Sequence, residues 1–310
     1  MDGPDISVDL CGVLMENPVI LASGVLGETG PSLLEALEGG AGAVVTKSIG
    51  PSPREGHPNP TVVTLGDSLL NAMGLPNPGM EAYAEELEWL RQRQGSKAPV
   101  FASVFGASPD EYAEVAARLA PLVDGIELNL SCPHAKGLGA EMGGDPAMLE
   151  QVVRAVVDTT DLPVLAKLTP NTGDIGALAS AAERGGASGL VAVNTLQGMV
   201  VDVEMAAPAL ANSHGGLSGD ALRPVGVRCV HEIAGMTSLP VVGVGGISNH
   251  IHALEYIMAG ATAVQVGTAI RTDGPQLLGR IATDLRDWLV DHDHSSLADV
   301  RGILVGGGHR

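Results

Sequence analysis

The stretch LPVVGVGGISNHIHALEYIMAGATAVQVGTAI, residues 239–270, contains two short apolar runs separated by a segment of helix length. The runs Val241–Val244 and Ala263–Val266 are rich in valine, which is typical of parallel strands buried on both faces. Between them, His250–Ala259 has the length of a helix, and a glycine follows each run. The stretch therefore predicts one strand–loop–helix–strand unit of an α/β fold.

The same unit recurs along the rest of the chain. Six further candidate strands are Val19–Ala22, Ala43–Lys47, Val100–Val104, Gly125–Leu130, Val164–Leu168 and Leu190–Asn194. Further candidate helices, which begin at Asp or Pro as helices often do, are Pro109–Ala120, Asp145–Asp158, Asp174–Arg184 and Asp220–Ala234. Eight strands alternating with helices predict a (β/α)8 TIM barrel, which we interpret as a single domain over residues 1–310.

Three segments depart from this repeat. Residues 6–16 alternate like a short N-terminal β-hairpin, which we expect at the bottom of the barrel. Residues 50–79, which are rich in proline, and residues 196–219 form long connections without helical periodicity. Loops of this length tend to be functional or disordered. Both follow barrel strands, so we expect both on the C-terminal face, where the active sites of TIM barrels lie.

The composition argues against several classes of protein. The 310 residues include 36 acidic and 17 basic side chains, a formal net charge of −19, which disfavours nucleic acid as a partner. The sequence has no apolar run of ~18 residues and no leader, so we expect a cytoplasmic protein without a membrane partner. Three cysteines without a CxxC pair predict no metal or iron–sulfur site in this chain. The acidic, lysine-poor composition suggests a salt-loving host.

Polar residues and glycines follow the predicted strands. Two of the four lysines, Lys47 and Lys167, end strands, and a buried cation is costly unless a partner compensates it, so we infer an anionic ligand. Glycine turns at Gly245-Gly246 and Gly267-Thr268 end the seventh and eighth strands, where TIM barrels commonly bind phosphate with the help of a short helix. The alternative for the glycine pair is a tight turn with no ligand.

Cys132 lies at the end of another predicted strand. In ELNLSCPH, residues 127–134, apolar and polar residues alternate until Pro133 stops strand pairing. One interpretation is a buried cysteine that serves as a small hydrophobe. The other is a reactive thiol, because charges and dipoles around a site lower the usual thiol pKa of about 8.5. Cys11 and Cys229 are assigned to packing.

Nine short motifs occur in order along nearly the whole chain. They are NPVILASG (17–24), GAVVTKSIG (42–50), NAMGLPNPG (71–79), ELNLSCP (127–133), AKLTPN (166–171), VNTLQGMVVD (193–202), GGLSG (215–219), VGVGGI (242–247) and QVGTAI (265–270). In this order they resemble the class 1 dihydroorotate dehydrogenases. The resemblance implies an FMN-binding barrel that oxidises (S)-dihydroorotate to orotate in de novo pyrimidine (UMP) biosynthesis. The segment NTLQGMVVD resembles the class 1B branch, which works with an iron–sulfur flavoprotein.

The same resemblance implies roles for individual residues. Cys132 is similar to the base that takes a substrate proton, while FMN takes the hydride. Lys47 resembles the lysine between flavin and substrate, and Lys167 the lysine beside the pyrimidine end of the flavin. Substrate binding is assigned to Lys47, Asn71, Met73, Gly74, Leu75, Asn129, Asn194 and Thr195. FMN binding is assigned to Ala22, Ser23, Gly24, Lys47, Ser48, Asn129, Lys167, Gly219, Gly245, Gly246, Gly267 and Thr268.

Two other functions are weighed against this one. His134 stands where many class 1 enzymes have a substrate-binding asparagine, and SCPH also occurs in dihydropyrimidine dehydrogenases, which reduce uracil and thymine on a similar barrel. NAMGLPN argues against that alternative, because it resembles a carboxylate-binding loop and uracil has no carboxylate. His134 is equally open to a structural role. The third hypothesis is a non-catalytic phosphate-binding scaffold, which would not need a thiol, two lysines and three asparagines at one rim.

The class 1B resemblance also predicts partners. It implies a homodimer of this chain and a separate electron-transfer subunit that carries FAD and a 2Fe–2S cluster. Fumarate, the acceptor in another class 1 branch, is the competing expectation. No metal is expected in this chain.

Overall fold

The computed structural model describes residues 3–95, 98–130 and 144–305. Its strands are β1 Val8–Leu10, β2 Val13–Met15, β3 Val19–Leu21, β4 Ala43–Val45, β5 Val62–Leu65, β6 Ser68–Asn71, β7 Val100–Val104, β8 Gly125–Asn129, β9 Val164–Leu168, β10 Gly189–Ala192, β11 Leu196–Gly198, β12 Val201–Asp202, β13 Ala207–Pro208, β14 Gly215–Gly219, β15 Val241–Val244 and β16 Ala263–Val266. Its helices are α1 Gly30–Glu38, α2 Met80–Arg93, α3 Pro109–Leu119, α4 Pro146–Val157, α5 Ile175–Gly185, α6 Arg223–Ala234, α7 His250–Met258, α8 Ile270–Asp273 and α9 Leu277–Asp291.

Eight parallel strands form a closed barrel. Around the barrel they follow the order β3, β4, β7, β8, β9, β10, β15 and β16, and β16 pairs with β3 to close it. Every residue of β7 and β9 is buried, as expected for strands covered on one side by helices and on the other by the barrel interior. The predicted TIM barrel and all eight of its strands are confirmed.

Several helices, including α3 and α5, begin at a residue whose side chain caps the first turn. Ser108 accepts a hydrogen bond from the backbone N–H of Glu111 at the start of α3, and Asp174 accepts one from Ala177 at the start of α5. The predicted helix Asp220–Ala234 differs, because Asp220–Leu222 forms a 3-10 turn before α6 begins. No helix in the described ranges is long and apolar enough to cross a membrane.

The N-terminal hairpin lies at the bottom of the barrel, as predicted. Strands β1 and β2 pair antiparallel, and the side chains of Leu10 and Met15 are buried in the main core. The thiol of Cys11 donates to the carbonyl of Ser188, directly before β10, at 3.1 Å. Burial raises the pKa of Cys11 to about 11, and burial also raises the pKa of Cys229. Both thiols are therefore poor nucleophiles, in agreement with a packing role.

The two long connections form one ordered sheet, which the sequence analysis missed. Strands β5 and β6 come from the first connection, β11 and β14 from the second, and the antiparallel order is β11-β14-β6-β5. The two-residue turn Gly66-Asp67 joins β5 to β6, and Gly66 has a φ of 60°. This glycine-containing dipeptide between two short apolar runs was the available hairpin signal.

Candidate active site

A line of hydrogen-bonded polar side chains crosses the C-terminal end of the barrel. The Asn129 amide donates to Ser48 Oγ at 3.0 Å, and the Asn194 amide donates to Asn129 Oδ1 at 3.1 Å. Ser48 Oγ is also 2.9 Å from Ser103 Oγ and 3.4 Å from Ser23 Oγ. The line connects the ends of β3, β4, β8 and β10 with β7. These five side chains therefore lie together at one end of the barrel, and their binding roles stay predictions.

The additional sheet brings two more predicted residues to this line. Asn71, the last residue of β6, donates its amide to the carbonyl of Gly216 in β14 at 3.2 Å. A Cβ on Gly216 would lie 2.1 Å from Thr195 Oγ1, so glycine is required for this approach. The backbone N–H of Thr195 donates to Asn194 Oδ1 at 2.8 Å. Asn71, Thr195 and Asn194 therefore lie in one neighbourhood although their sequence positions are far apart.

The segment Met73-Gly74-Leu75 has two consecutive residues with left-handed backbone. Gly74 has a φ of 75° and Leu75, which is not a glycine, has a φ of 57°. The carbonyl of Met73 accepts from the backbone N–H of His57, and the carbonyl of Leu75 accepts from the amide of Asn77. Such backbone is costly for a leucine and persists where surrounding contacts hold it, often at ligand sites.

Lys47 is buried and pairs with a carboxylate of the protein. Its ammonium lies 2.9 Å from Glu28 Oε1, at the end of the loop that follows β3. Lys167 is likewise buried, and its ammonium lies 3.0 Å from Glu127 Oε1. Burial of these lysines therefore does not by itself require an anionic ligand, because each cation already has an acidic partner.

Two residues around Lys167 were missed by the sequence analysis. Glu127 and Gln265 are 0% and 1% exposed, and both contact the Lys167 ammonium inside the barrel. The sequence feature that could have identified them is a polar side chain within a short apolar strand. Glu127 lies in GIELN and Gln265 lies in AVQV. A polar group at such a position needs a buried hydrogen-bond partner.

The glycine turns of the predicted phosphate site converge. A Cβ on Gly246, whose φ is 69°, would lie 2.7 Å from the carbonyl oxygen of Gly219, so the ends of β14 and β15 approach closely. The hydroxyl of Thr268, after β16, donates to Ser218 Oγ at 2.9 Å. The hydroxyl of Tyr256 in α7 donates to the carbonyl of Gly245 at 2.7 Å and so anchors this turn. The expected short helix is α8, which has only four residues.

The neighbouring end of β3 leaves space beside these turns. Gly24 has a φ of 103°, and an added Cβ there would meet no heavy atom within 4 Å. A Cβ on Gly267 would have only ordinary contact, at 3.5 Å, with the Cβ of Ala22. Ser23 stands between Ala22 and Gly24 in the sequence, and its hydroxyl belongs to the polar line. Ala22, Gly24 and Gly267 thus leave the backbone at this part of the rim uncrowded by side chains.

Cys132 and His134 lie outside the described residues. Leu130, directly after β8, is the last described residue before them. Within the part of the chain that the structure describes, no group of three His, Cys, Asp or Glu side chains is arranged to hold a metal ion.

The fold and this face define a TIM-barrel enzyme with a site of amides, hydroxyls, two lysines and glycine turns. The family model for dihydroorotate dehydrogenase matches residues 5–289. The chain therefore belongs to the dihydroorotate dehydrogenase family.

Individual relatives indicate which branch of this family the chain resembles. The chain is 49% identical over 296 residues to a protein of Methanosarcina mazei, covering 95% of this chain and 93% of the relative. It is 47% identical over 300 residues to one of Pyrococcus horikoshii, covering 97% and 98%, and 43% identical over 299 residues to one of Methanocaldococcus jannaschii, covering 96% and 97%. Each is named the catalytic subunit of dihydroorotate dehydrogenase B (NAD(+)). The predicted resemblance to class 1B is confirmed.

Proposed function

We propose that this chain oxidises (S)-dihydroorotate to orotate in pyrimidine biosynthesis, as the catalytic subunit of a class 1B enzyme. The observation that carries the proposal is the neighbourhood of Asn71, Asn129, Asn194 and Thr195 on the C-terminal face of a barrel from this family. An amide offers both a donor and an acceptor, which suits a ring that alternates C=O and N–H groups. These four residues bind the pyrimidine ring.

The substrate carboxylate binds to Lys47 and to backbone N–H groups of Met73, Gly74 and Leu75. Lys47 supports this role because its ammonium is at the rim and its acidic partner, Glu28, is largely exposed and free to give way. Hydrogen bonds from His57 and Asn77 to the neighbouring carbonyls hold the left-handed backbone at Gly74 and Leu75. A site with a carboxylate contact favours dihydroorotate over dihydrouracil.

The oxidation removes a proton and a hydride from adjacent carbons of the substrate. Cys132 takes the proton next to the carbonyl as its thiolate, and the C–H electrons of that bond become the new double bond. FMN, when bound, supplies the acceptor for the hydride from the neighbouring carbon.

The FMN site follows from the glycine turns and the lysines. Gly219, Gly245, Gly246, Gly267 and Thr268 would hold its phosphate, because glycine backbone lets N–H groups approach an anion. Lys167 would hold the pyrimidine end of the ring, where a cation would stabilise the negative charge of the reduced form. The remaining contacts come from Ala22, Ser23, Gly24, Lys47, Ser48 and Asn129.

The partners follow from the class. The chain forms a homodimer and binds a separate subunit with FAD and a 2Fe–2S cluster, which passes electrons to NAD⁺. The names of the relatives as catalytic subunits support a partner.

The purified chain tests the proposal directly. We expect a yellow protein whose flavin absorbance is bleached by dihydroorotate under anaerobic conditions and is left largely unchanged by dihydrouracil. A colourless protein that binds no added FMN contradicts the flavin site. Faster bleaching by dihydrouracil favours the uracil and thymine alternative.

A further inference from the structure

Three buried polar side chains meet inside the barrel. Lys167 of β9, Glu127 of β8 and Gln265 of β16 are 6%, 0% and 1% exposed. Strands β8 and β9 are neighbours, but β16 is not adjacent to either of them in the barrel. Gln265 therefore reaches the other two side chains across the barrel interior.

The three side chains close a ring of hydrogen bonds. The Lys167 ammonium donates to Glu127 Oε1 at 3.0 Å and to Gln265 Oε1 at 3.2 Å, and the Gln265 amide nitrogen donates to Glu127 Oε2. The ring sets the orientation of the Gln265 amide, because the reversed amide would place two donors against each other. An ammonium has three N–H donors, and the described residues accept two of them, so one remains for a ligand.

The register between β8 and β9 sets the depth of the two charges. Lys167 is level with Asn129, a member of the polar line, whereas Glu127 is level with Leu165. Glu127 therefore starts from a deeper layer of the barrel than Lys167. Lys167 is therefore nearer to the C-terminal face, and the carboxylate of Glu127 comes from a position further from that face.

We propose that Glu127 is a positioning residue that acts through Lys167: it offsets part of the lysine charge and thereby lowers the reduction potential of the bound flavin. The inference rests on the proposed function, in which Lys167 lies beside the flavin. A fixed cation at that point favours the reduced, more negative ring. A carboxylate on the same ammonium opposes that field, and low dielectric strengthens both effects. Gln265 holds the pair together without adding charge.

Two variants with opposite charge changes test the proposal. Glu127→Gln removes one negative charge at nearly constant shape, and Gln265→Glu adds one beside the same ammonium. The midpoint potential of FMN bound to each variant is measured by equilibration with a reference dye. We expect Glu127→Gln to favour the reduced flavin at least tenfold, about 30 mV for a two-electron couple, and Gln265→Glu to shift the potential the other way.

Opposite shifts separate a charge effect from general damage to the barrel. Asp124→Asn is the matched control, because Asp124 is also a paired carboxylate and precedes β8 at the opposite end of the barrel. Its potential should equal that of the wild type. Shifts of the same sign in both variants, or an unchanged or lowered potential in Glu127→Gln, overturn the proposal.

Loss of FMN from a variant, or from the wild type, also has a defined meaning. If Glu127→Gln does not retain FMN, Gln265→Glu decides: a lowered potential supports the proposal and an unchanged or raised one contradicts it. If the wild-type chain binds FMN and is reduced by dihydroorotate but the potentials do not move, only this inference fails. If the wild-type chain binds no FMN, the proposed function itself fails.

Discussion

The ammonium of Lys47 lies 2.9 Å from the carboxylate of Glu28, although 8% of the Lys47 side chain and 65% of the Glu28 side chain are exposed. A buried cation is thus held by a carboxylate that faces solvent. The desolvation cost falls on Lys47, whereas Glu28 keeps most of its hydration and loses little when it moves away. Because the proposed substrate is itself a carboxylate, the two anions compete for one ammonium.

Glu28→Gln should therefore bind orotate more tightly. Removal of a competing charge at an exposed site is expected to lower the orotate Kd roughly three- to tenfold at low salt. The change in flavin absorbance on titration with orotate measures this Kd. Glu81→Gln, which removes another exposed carboxylate paired with an arginine, Arg118, is the matched control and should leave the Kd unchanged. An equal or weaker affinity in Glu28→Gln would show that Glu28 does not compete with the ligand.

Cys132→Ser should keep FMN and orotate binding but slow reduction of the flavin by dihydroorotate. An alcohol is a far weaker base than a thiol, so the rate should fall by a factor on the order of 10² or more. Stopped-flow absorbance under anaerobic conditions measures the rate. Cys11→Ser is a control that leaves the C-terminal face untouched, because Cys11 lies in the N-terminal hairpin at the bottom of the barrel. A wild-type rate in Cys132→Ser assigns the base to another group.

Lys47→Ala and Lys167→Ala should have separable effects. The first should weaken orotate binding, since Lys47 is proposed to meet the carboxylate. The second should chiefly affect retention or reduction of the flavin, since Lys167, which Glu127 and Gln265 hold inside the barrel, is proposed to lie beside the flavin. Orotate affinity per bound flavin and FMN content are the two measurements. Equal loss of FMN in both variants, with unchanged orotate affinity, contradicts this division.

The barrel could be predicted from the sequence because its signals are local. Each barrel strand is a short apolar run, and helices such as α3 and α5 begin at a serine or aspartate cap. The sheet formed by β5, β6, β11 and β14 was missed because its central pairing joins Leu70 to Leu217. Such long-range pairing has no local periodicity, although the Gly66-Asp67 turn marked one of its hairpins.

The site could be predicted only in part for the same reason. Motif positions identified Lys47 and Lys167, but their partners depend on which strands and loops face each other after the barrel closes. Glu127 precedes Lys167 by 40 residues in the sequence, and Gln265 follows Lys167 by 98 residues. A single polar residue in an apolar strand indicates that its side chain has a buried hydrogen-bond partner. Which residue is that partner depends on the tertiary structure.

The protein should be more stable in concentrated salt. A net charge of −19 produces self-repulsion in the folded state, and added ions screen it. The Tm measured by circular dichroism should therefore rise between low and molar KCl. A Tm that stays constant or falls across this range contradicts the hypothesis of a salt-loving host. Sucrose at matched osmolarity is the control for general exclusion effects.

The isolated chain should reduce artificial dyes with dihydroorotate but should not reduce NAD⁺ efficiently. The sequence has no GxGxxG motif after a strand, and its three cysteines are too few for a Cys₄ cluster. The glycine turns at Gly246 and Thr268, which lie close to Gly219 and Ser218, are proposed to bind the phosphate of FMN and therefore would not serve NAD⁺. NAD⁺ reduction should therefore appear only after addition of a subunit with FAD and a 2Fe–2S cluster. Anaerobic assays with dye, NAD⁺ and fumarate, each with and without that subunit, measure the outcome. Rapid NAD⁺ reduction by the chain alone, or strong turnover with fumarate, contradicts the assigned electron route and leaves the oxidation of dihydroorotate intact.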